Sequence, residues 1–527
     1  MTRIAESTKI FLVCQASREM RYTDLKNSRA VSCLCAGILF TLASLGCGSG
    51  NYTPPLTTIT TTLNPLVAQY SIRHFHQGLT AWVEFGTDTT YGRQTSLTTN
   101  SVTTPLGQTL NVLVAGMLPQ TTYHMRAHVD WTGGSWTDQD QTFTTGALPP
   151  SIAPPGITVA RPNPSLSPAP GVELLSLIAP GNANMLQSVV TDLKGNIIWY
   201  HPGVAIPVKP MSNGHFILNL GGSLREVDLA GSTIRDVSVK QVNQSLQANG
   251  YLFAITGFSH DVLTLPNGHW IGLALITKNF TDLAGYPGAT SVVGDALVDI
   301  DPNGNVVWGW SAFDYLDINR HLQGLPDWTH SNALVYTADG NLLLSMRHQS
   351  WILKIDYANS TGSGNILWKL GEDGDFTLLG GDPSQWFYGQ HYPVILNTIG
   401  SRTTMAIYDD GNLRIDSGNV ACESSPSAPA CYSRATVYSI DESTNIATLL
   451  WQDIPGFYSF WGGSIGALSN GDVEFANSDP FDSDESEILE VTQTGNPQIV
   501  WQMNITGEWA YRGYRIPSLY PGVTWQQ

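Results

Sequence analysis

The sequence predicts an all-β protein, a six-bladed β-propeller preceded by a small β-sandwich. Three observations carry this. Charged residues make up 13% of the 527, while Gly (51), Pro (30), Trp (16) and Tyr (20) are abundant, a composition of strand and turn formers rather than of long helices. Strand–turn–strand hairpins ending in Trp recur along the last two thirds of the chain, and a second family of Asn-Gly or Asp-Gly turns recurs between them.

Residues 1–50 read as a targeting segment. Lys26 and Arg29 precede an apolar run from Ala30 to Leu45, about the length of a signal-peptide core and short for a membrane span. Translation from Met20 rather than Met1 would give this signal an ordinary basic head. Cys47 follows Ser44-Leu45-Gly46 and resembles a lipoprotein cleavage site, which would tie the mature chain to a membrane by lipid, although Ser44 stands where Leu is expected. Cys14, Cys33 and Cys35 would be removed with the signal, leaving Cys422 and Cys431 as a disulfide in an exported, periplasmic chain, or as two free thiols. Neither further cysteines nor a suitable His pair nearby suggests zinc.

Residues 56–146 alternate apolar and polar positions in three long strands. Gly116-Met117-Leu118-Pro119 leading into the strand that carries Tyr123 resembles the corner of a fibronectin type III or Ig-like β-sandwich. Residues 147–174 are Pro-rich and read as a linker. Residues 175–527 hold the repeat. Its hairpins end at Trp199, Ile234, Trp308, Trp368, Trp451 and Trp501, and its second turns fall at Asn213-Gly214, Asn267-Gly268, Asp339-Gly340, Asp410-Gly411 and Asn470-Gly471. Two hairpins per repeat make four strands per blade, and six copies make a six-bladed propeller acting as the catalytic domain.

A net charge of -18 argues against nucleic acid or anionic lipid as partners. Local positive charge therefore stands out. His260 (before Val262-Leu263), His330 (before Ala333-Leu334) and His391 (before Val394-Ile395) open strands at matching places in successive repeats, and Arg347-His348 ends another strand. A propeller brings such strand ends together on its axis. A fixed guanidinium beside a divalent cation is unfavourable, whereas beside a tetrahedral oxyanion it offers paired donors, so the set points away from a metal and toward a sulfate or phosphate ester. One histidine would serve as nucleophile.

At these positions the chain resembles the bacterial arylsulfate sulfotransferases that work without the nucleotide sulfate donor. The residues that carry the resemblance are His260-Asp261 with Leu265-Pro266-Asn267-Gly268, then Asp327-Trp328-Thr329-His330-Ser331-Asn332, Arg347-His348-Gln349, Gln390-His391, and Cys422 with Cys431. The resemblance implies a cofactor-free ping-pong transfer from an aryl sulfate donor to a phenolic acceptor. His391 would become a sulfohistidine, His260, His330 and Arg347 would hold the sulfuryl oxygens, and Asn332 and His348 would contact substrate. Activity would rise through the imidazole range, about pH 6–7. The chain departs from the family pattern at Tyr392-Pro393, where small residues and an early Trp are usual.

Two further readings stay open, a non-catalytic propeller that binds a ligand and an aryl sulfate hydrolase using the same residues. A homodimer joined through the sandwich is also compatible with the sequence. Gly462-Gly463-Ser464-Ile465-Gly466 matches a hydrolase elbow by letters but lies between strands instead of strand and helix. The carboxylates from Asp479 to Glu485 read as a solvated loop, with calcium binding as the alternative.

Overall fold

The structure is a computed structural model that describes residues 54–526 apart from 106, 151–152, 180–183, 416–418, 425–430 and 481–484. The signal segment, both start sites and Cys47 lie outside the described residues. Residues 57–527 form one compact unit. No helix among the described residues is long and apolar enough to cross a membrane.

Two sheets make the N-terminal sandwich. One orders Leu56–Thr61, Ala68–His74, Gly107–Val114 and Val102–Thr104; the other is built on Thr80–Gly86 and Thr122–Trp131. Alternation in these strands sends Tyr70, Ile72, Val83, Phe85, Val112, Met125 and Val129 inward, each at most 2% exposed. The predicted corner is present, because the Leu118 N–H donates to the Tyr123 hydroxyl at 3.0 Å.

Among the described residues from Val172 to Ile516 the chain folds into six successive sheets of four or five strands, antiparallel except where Thr377–Leu378 runs parallel to Ile446–Asp453, and neighbouring sheets touch through their inner strands in a ring. This is a β-propeller. Its Trp hairpins share one register: Trp199, Trp308, Trp368, Trp451 and Trp501 pair with Val190, Asp299, Lys354, Val437 and Glu490, and a bulge follows each partner. The bulge adds twist at the outer edge, where each blade leans on the next.

Three features differ from the sequence expectation. The ring is closed by its two ends, since Val172–Ile178 pairs with the C-terminal strand Trp509–Ile516, which becomes the innermost strand of the first blade. The Pro-rich stretch 147–174 is more than a spacer. Its Gly156–Ala160 pairs with Ile499–Thr506 as a fifth strand, and Ile157 and Val159 pack on the core beneath that edge. Asp410-Gly411 is no hairpin turn. The hairpin in that blade turns at Gly400, between His391–Ile399 and Arg402–Asp409, and Asp410 begins an excursion that carries the disulfide before Arg434–Asp441.

Sandwich and propeller share a core through the C-terminal tail. Trp525 lies edge-on to Phe85 at 5.9 Å beneath the Arg93 guanidinium, and the Tyr520 hydroxyl both accepts from Ala115 N–H (2.6 Å) and donates to the Leu113 carbonyl (2.8 Å).

Candidate functional site

The three histidines arrive on the axis by distorted backbone rather than regular strand. His260 and His330 sit at φ 43° and 45°, and Tyr392, directly after His391, at φ 48°. Each position coincides with a register shift in the inner strand pair of its blade. Left-handed backbone at bulky residues costs of order 1–3 kcal/mol and persists where surrounding structure enforces it, often at functional sites. Here it turns an imidazole off the pleat and toward the axis. Gly389, at φ 67°, is needed two residues before His391: a Cβ there would lie 2.0 Å from Asn412 Oδ1.

The imidazoles of His260 and His330 lie 4.6 Å apart, and His330 stacks on His348 at the same spacing. The Tyr511 ring bridges to the third histidine, 5.9 Å from His260 and 6.5 Å from His391. His391 is 1% exposed. Its Nδ1 lies 2.5 Å from Oδ2 of Asp410, a carboxylate with no exposed surface whose Oδ1 has no partner. Burial first, then the Arg347 and Arg512 charges, hold His391 well below the ordinary histidine range. Burial pushes Asp410 well above the ordinary carboxylate range, against Arg347. Where Asp410 is ionised, Nδ1 carries the ring proton and Nε2 keeps a lone pair; Arg347 favours that state and burial opposes it.

His330 is set the same way, its Nδ1 2.5 Å from Asp327 Oδ2. Burial would raise Asp327, but His330 and His348 hold it below the usual carboxylate range. His348 has both nitrogens engaged: Nδ1–H donates to the Asp327 carbonyl at 2.7 Å, and Nε2 accepts from Arg347 Nη1 at 2.7 Å. Burial, together with His330 and Arg347 and against Asp327, pushes His348 down to about 3. Both His348 nitrogens are thus engaged within the protein, one of them on the Arg347 guanidinium. Arg347 also donates Nη2–H to the Phe460 carbonyl at 3.0 Å and lies under that ring, while its Nε has no partner. Asn332 donates its amide to the Gln390 carbonyl at 2.7 Å and has Oδ1 unpartnered. Burial, and then His330, lower His260 well below the histidine range.

Asp327, His330 and His348 each offer a ligand atom within 4.8 Å of the others. A cation there would have to displace the Asp327–His330 bond and sit beside the Arg347 guanidinium that already occupies His348 Nε2. The donor set suits an oxyanion better. Two motifs drop out. Ser464 lies in the strand Ser464–Ala467 with its hydroxyl bonded to the Gly513 backbone, so no elbow forms. Of the acidic run, residues 481–484 lie outside the described residues. The sequence reading missed Asp327, Asp410, Tyr511 and Arg512 as site residues. Asp327 was visible in the Asp-Trp-x-His motif, whereas Tyr511-Arg512 lies in an unremarkable strand far along the chain.

A ring of β-sheets here gathers buried imidazoles around a guanidinium that, among the described residues, has no carboxylate ion-pair partner. The arylsulfotransferase (ASST) family model matches residues 171–515, and the chain belongs to that family as an arylsulfate sulfotransferase. None of the curated proteins compared matches the chain. Among solved structures, a protein of unknown function from Bacteroides caccae is 11% identical, covering 66% of this chain and 98% of its own, with a TM-score of 0.39. Virginiamycin B lyase from Staphylococcus aureus, an inactive variant with quinupristin, is 13% identical over 66% and 99%, TM-score 0.31. A periplasmic gluconolactonase from Pseudomonas aeruginosa is 10% identical over 73% and 93%, TM-score 0.30. The disulfide Cys422–Cys431 is formed, with an S–S distance of 2.02 Å, and agrees with export.

Proposed function

We propose that this sulfotransferase works by ping-pong transfer through His391 in the periplasm. The observation that supports this is the buried His391–Asp410 pair, which leaves Nε2 as the nucleophilic nitrogen. Nε2 attacks the sulfur of an aryl sulfate, the S–O bond to the ring breaks, and the phenolate leaves with the bonding pair. The sulfuryl group is then a sulfohistidine, its oxygens held by Arg347, His260 and His330, whose donors stabilise charge that builds up in transfer. The oxygen of a phenolic acceptor attacks the same sulfur as the S–Nε2 bond breaks and its electron pair returns to His391, and the acceptor's proton passes to the departed phenolate through solvent. Asp410 stabilises the positive charge that the ring gains when Nε2 attacks and gives up when the acceptor takes the sulfuryl group.

Incubation of the mature chain with a chromogenic aryl sulfate tests this, with and without added phenol, in wild type and His391→Ala. Chromophore release that accelerates with phenol and is lost in the variant is expected. Release indifferent to phenol would make water the acceptor, and release retained in His391→Ala would remove the sulfohistidine.

A further inference from the structure

We propose that Arg512, with the tyrosines around it, forms a second binding site, for a small anion, beside the His391 centre on the propeller axis. Arg512 has no exposed surface, and it forms no ion pair with a carboxylate among the described residues. Its Nη2 donates to the Asn332 carbonyl and, at 3.2 Å, to the Tyr511 hydroxyl. Nε and Nη1 are buried without partners. A guanidinium this deep with one edge unbonded is costly unless an anion or its equivalent in hydrogen bonds completes it.

The obvious protein anion is already taken. Asp261, which also has no exposed surface, accepts from Lys209 Nζ (2.9 Å) and Val262 N–H (2.9 Å) at Oδ1 and from Leu334 N–H (2.8 Å) at Oδ2. Lys209, Asp261 and Arg512 together leave a net charge of +1 in this layer. Its walls are aromatic: Arg512 lies over the Tyr392 ring at 4.0 Å and near the Tyr511 ring at 5.0 Å, and Tyr392 meets Tyr514 edge-on at 5.3 Å. The free edge of one guanidinium with a hydroxyl beside it offers paired donors to a tetrahedral oxyanion or a halide.

Crystals of the intact mature chain soaked separately in selenate and bromide test the site. An anomalous peak within about 3.5 Å of Arg512 Nε or Nη1 is expected, in selenate for an oxyanion site and in bromide for a halide site. Absence of a peak there in both soaks overturns the proposal. The melting temperature is then followed against sulfate and chloride at constant ionic strength. A saturable rise is expected in wild type and in Arg347→Gln, and its loss in Arg512→Gln. A rise that persists in Arg512→Gln, or that disappears in Arg347→Gln instead, places the anion elsewhere. A peak with no saturable rise in wild type means an adventitious ion only, and also overturns the proposal. The crystal soaks use unaltered protein and do not depend on whether the Arg512 variant folds.

Discussion

Asp409 and Asp410 are neighbours in the chain, and both are fully buried, yet they belong to opposite kinds of region. Asp409 is shared by two arginines, Arg414 at 2.6 Å and Arg434 at 2.7 Å, whose remaining donors are largely taken up by Gln452 and the Ser384 and Trp386 carbonyls. Asp410 faces the axis with one histidine and an oxygen without partner. The arginines divide the same way. Arg414 and Arg434 have their carboxylate, whereas the buried Arg347 and Arg512 are held by carbonyls, a hydroxyl and an imidazole, with no carboxylate ion pair among the described residues. At Asp409 the charge is matched inside the protein, and at Arg347 and Arg512 it is left over.

That contrast can be broken by exchange. Asp410→Asn is expected to lower turnover by roughly 10²–10⁴-fold, since an amide can hold the ring with the proton on Nε2 and remove the nucleophilic lone pair, while the melting temperature stays close to wild type. Asp409→Asn should do the reverse. It leaves two buried guanidinium groups short of charge, at a cost of about 3–5 kcal/mol, with nearly normal turnover in whatever remains folded. Equal damage to rate and stability in both variants would erase the distinction. Arg347→Gln against Arg434→Gln repeats the test one step down. The first is expected to lose about 10²–10³-fold in rate and the second mainly stability, as read by parallel kinetics and denaturant titration.

The fold was legible because its repeat is chemical as well as geometric. Each Trp that closes a hairpin sits opposite a bulge, so the pattern survives irregular spacing. His260, His330, Arg347 and His391 were legible because they stand next to strand openings whose phase the repeat supplies. Asp410 was misread for a physical reason: Asp-Gly-Asn is the chemistry of a turn, and only the contact with Tyr388, whose carbonyl accepts the Gly411 N–H at 2.8 Å, aims the preceding carboxylate inward. Tyr511 and Arg512 could not be found from motifs. Their place depends on the C-terminal strand returning to the first blade, a pairing across more than 300 residues.

The pH dependence sharpens the comparison. His260, His348 and His391 are all lowered by burial from the ordinary 6.5. In the unfolded chain they take up protons near that value, and in the fold they do not, so stability is complete above about pH 6.5 and is lost as pH falls below it. The acid limb of activity should likewise have its midpoint below pH 6.5, lower than an unperturbed imidazole would give, and it belongs to the His391–Asp410 pair as a unit. A midpoint between 6.5 and 7 in the rate profile would contradict the burial argument.

The smallest expected effect lies at the disulfide. Cys422 and Cys431 pack with Tyr458 and Phe460, and the Phe460 carbonyl accepts from both Arg347 and Asn412. The bridge therefore braces the carbonyl that helps to hold the catalytic guanidinium. Closing a loop with a sequence separation of 9 contributes about 2–3 kcal/mol by the chain-entropy estimate, so Cys422→Ala/Cys431→Ala should lower the melting temperature modestly. If the brace matters, the double variant also loses a few-fold in turnover at temperatures where it is fully folded, and the loss falls on the rate rather than on donor binding, because Arg347 is displaced and not removed. Unchanged turnover in the folded double variant would confine the bridge to stability and leave His348 as the support that fixes Arg347.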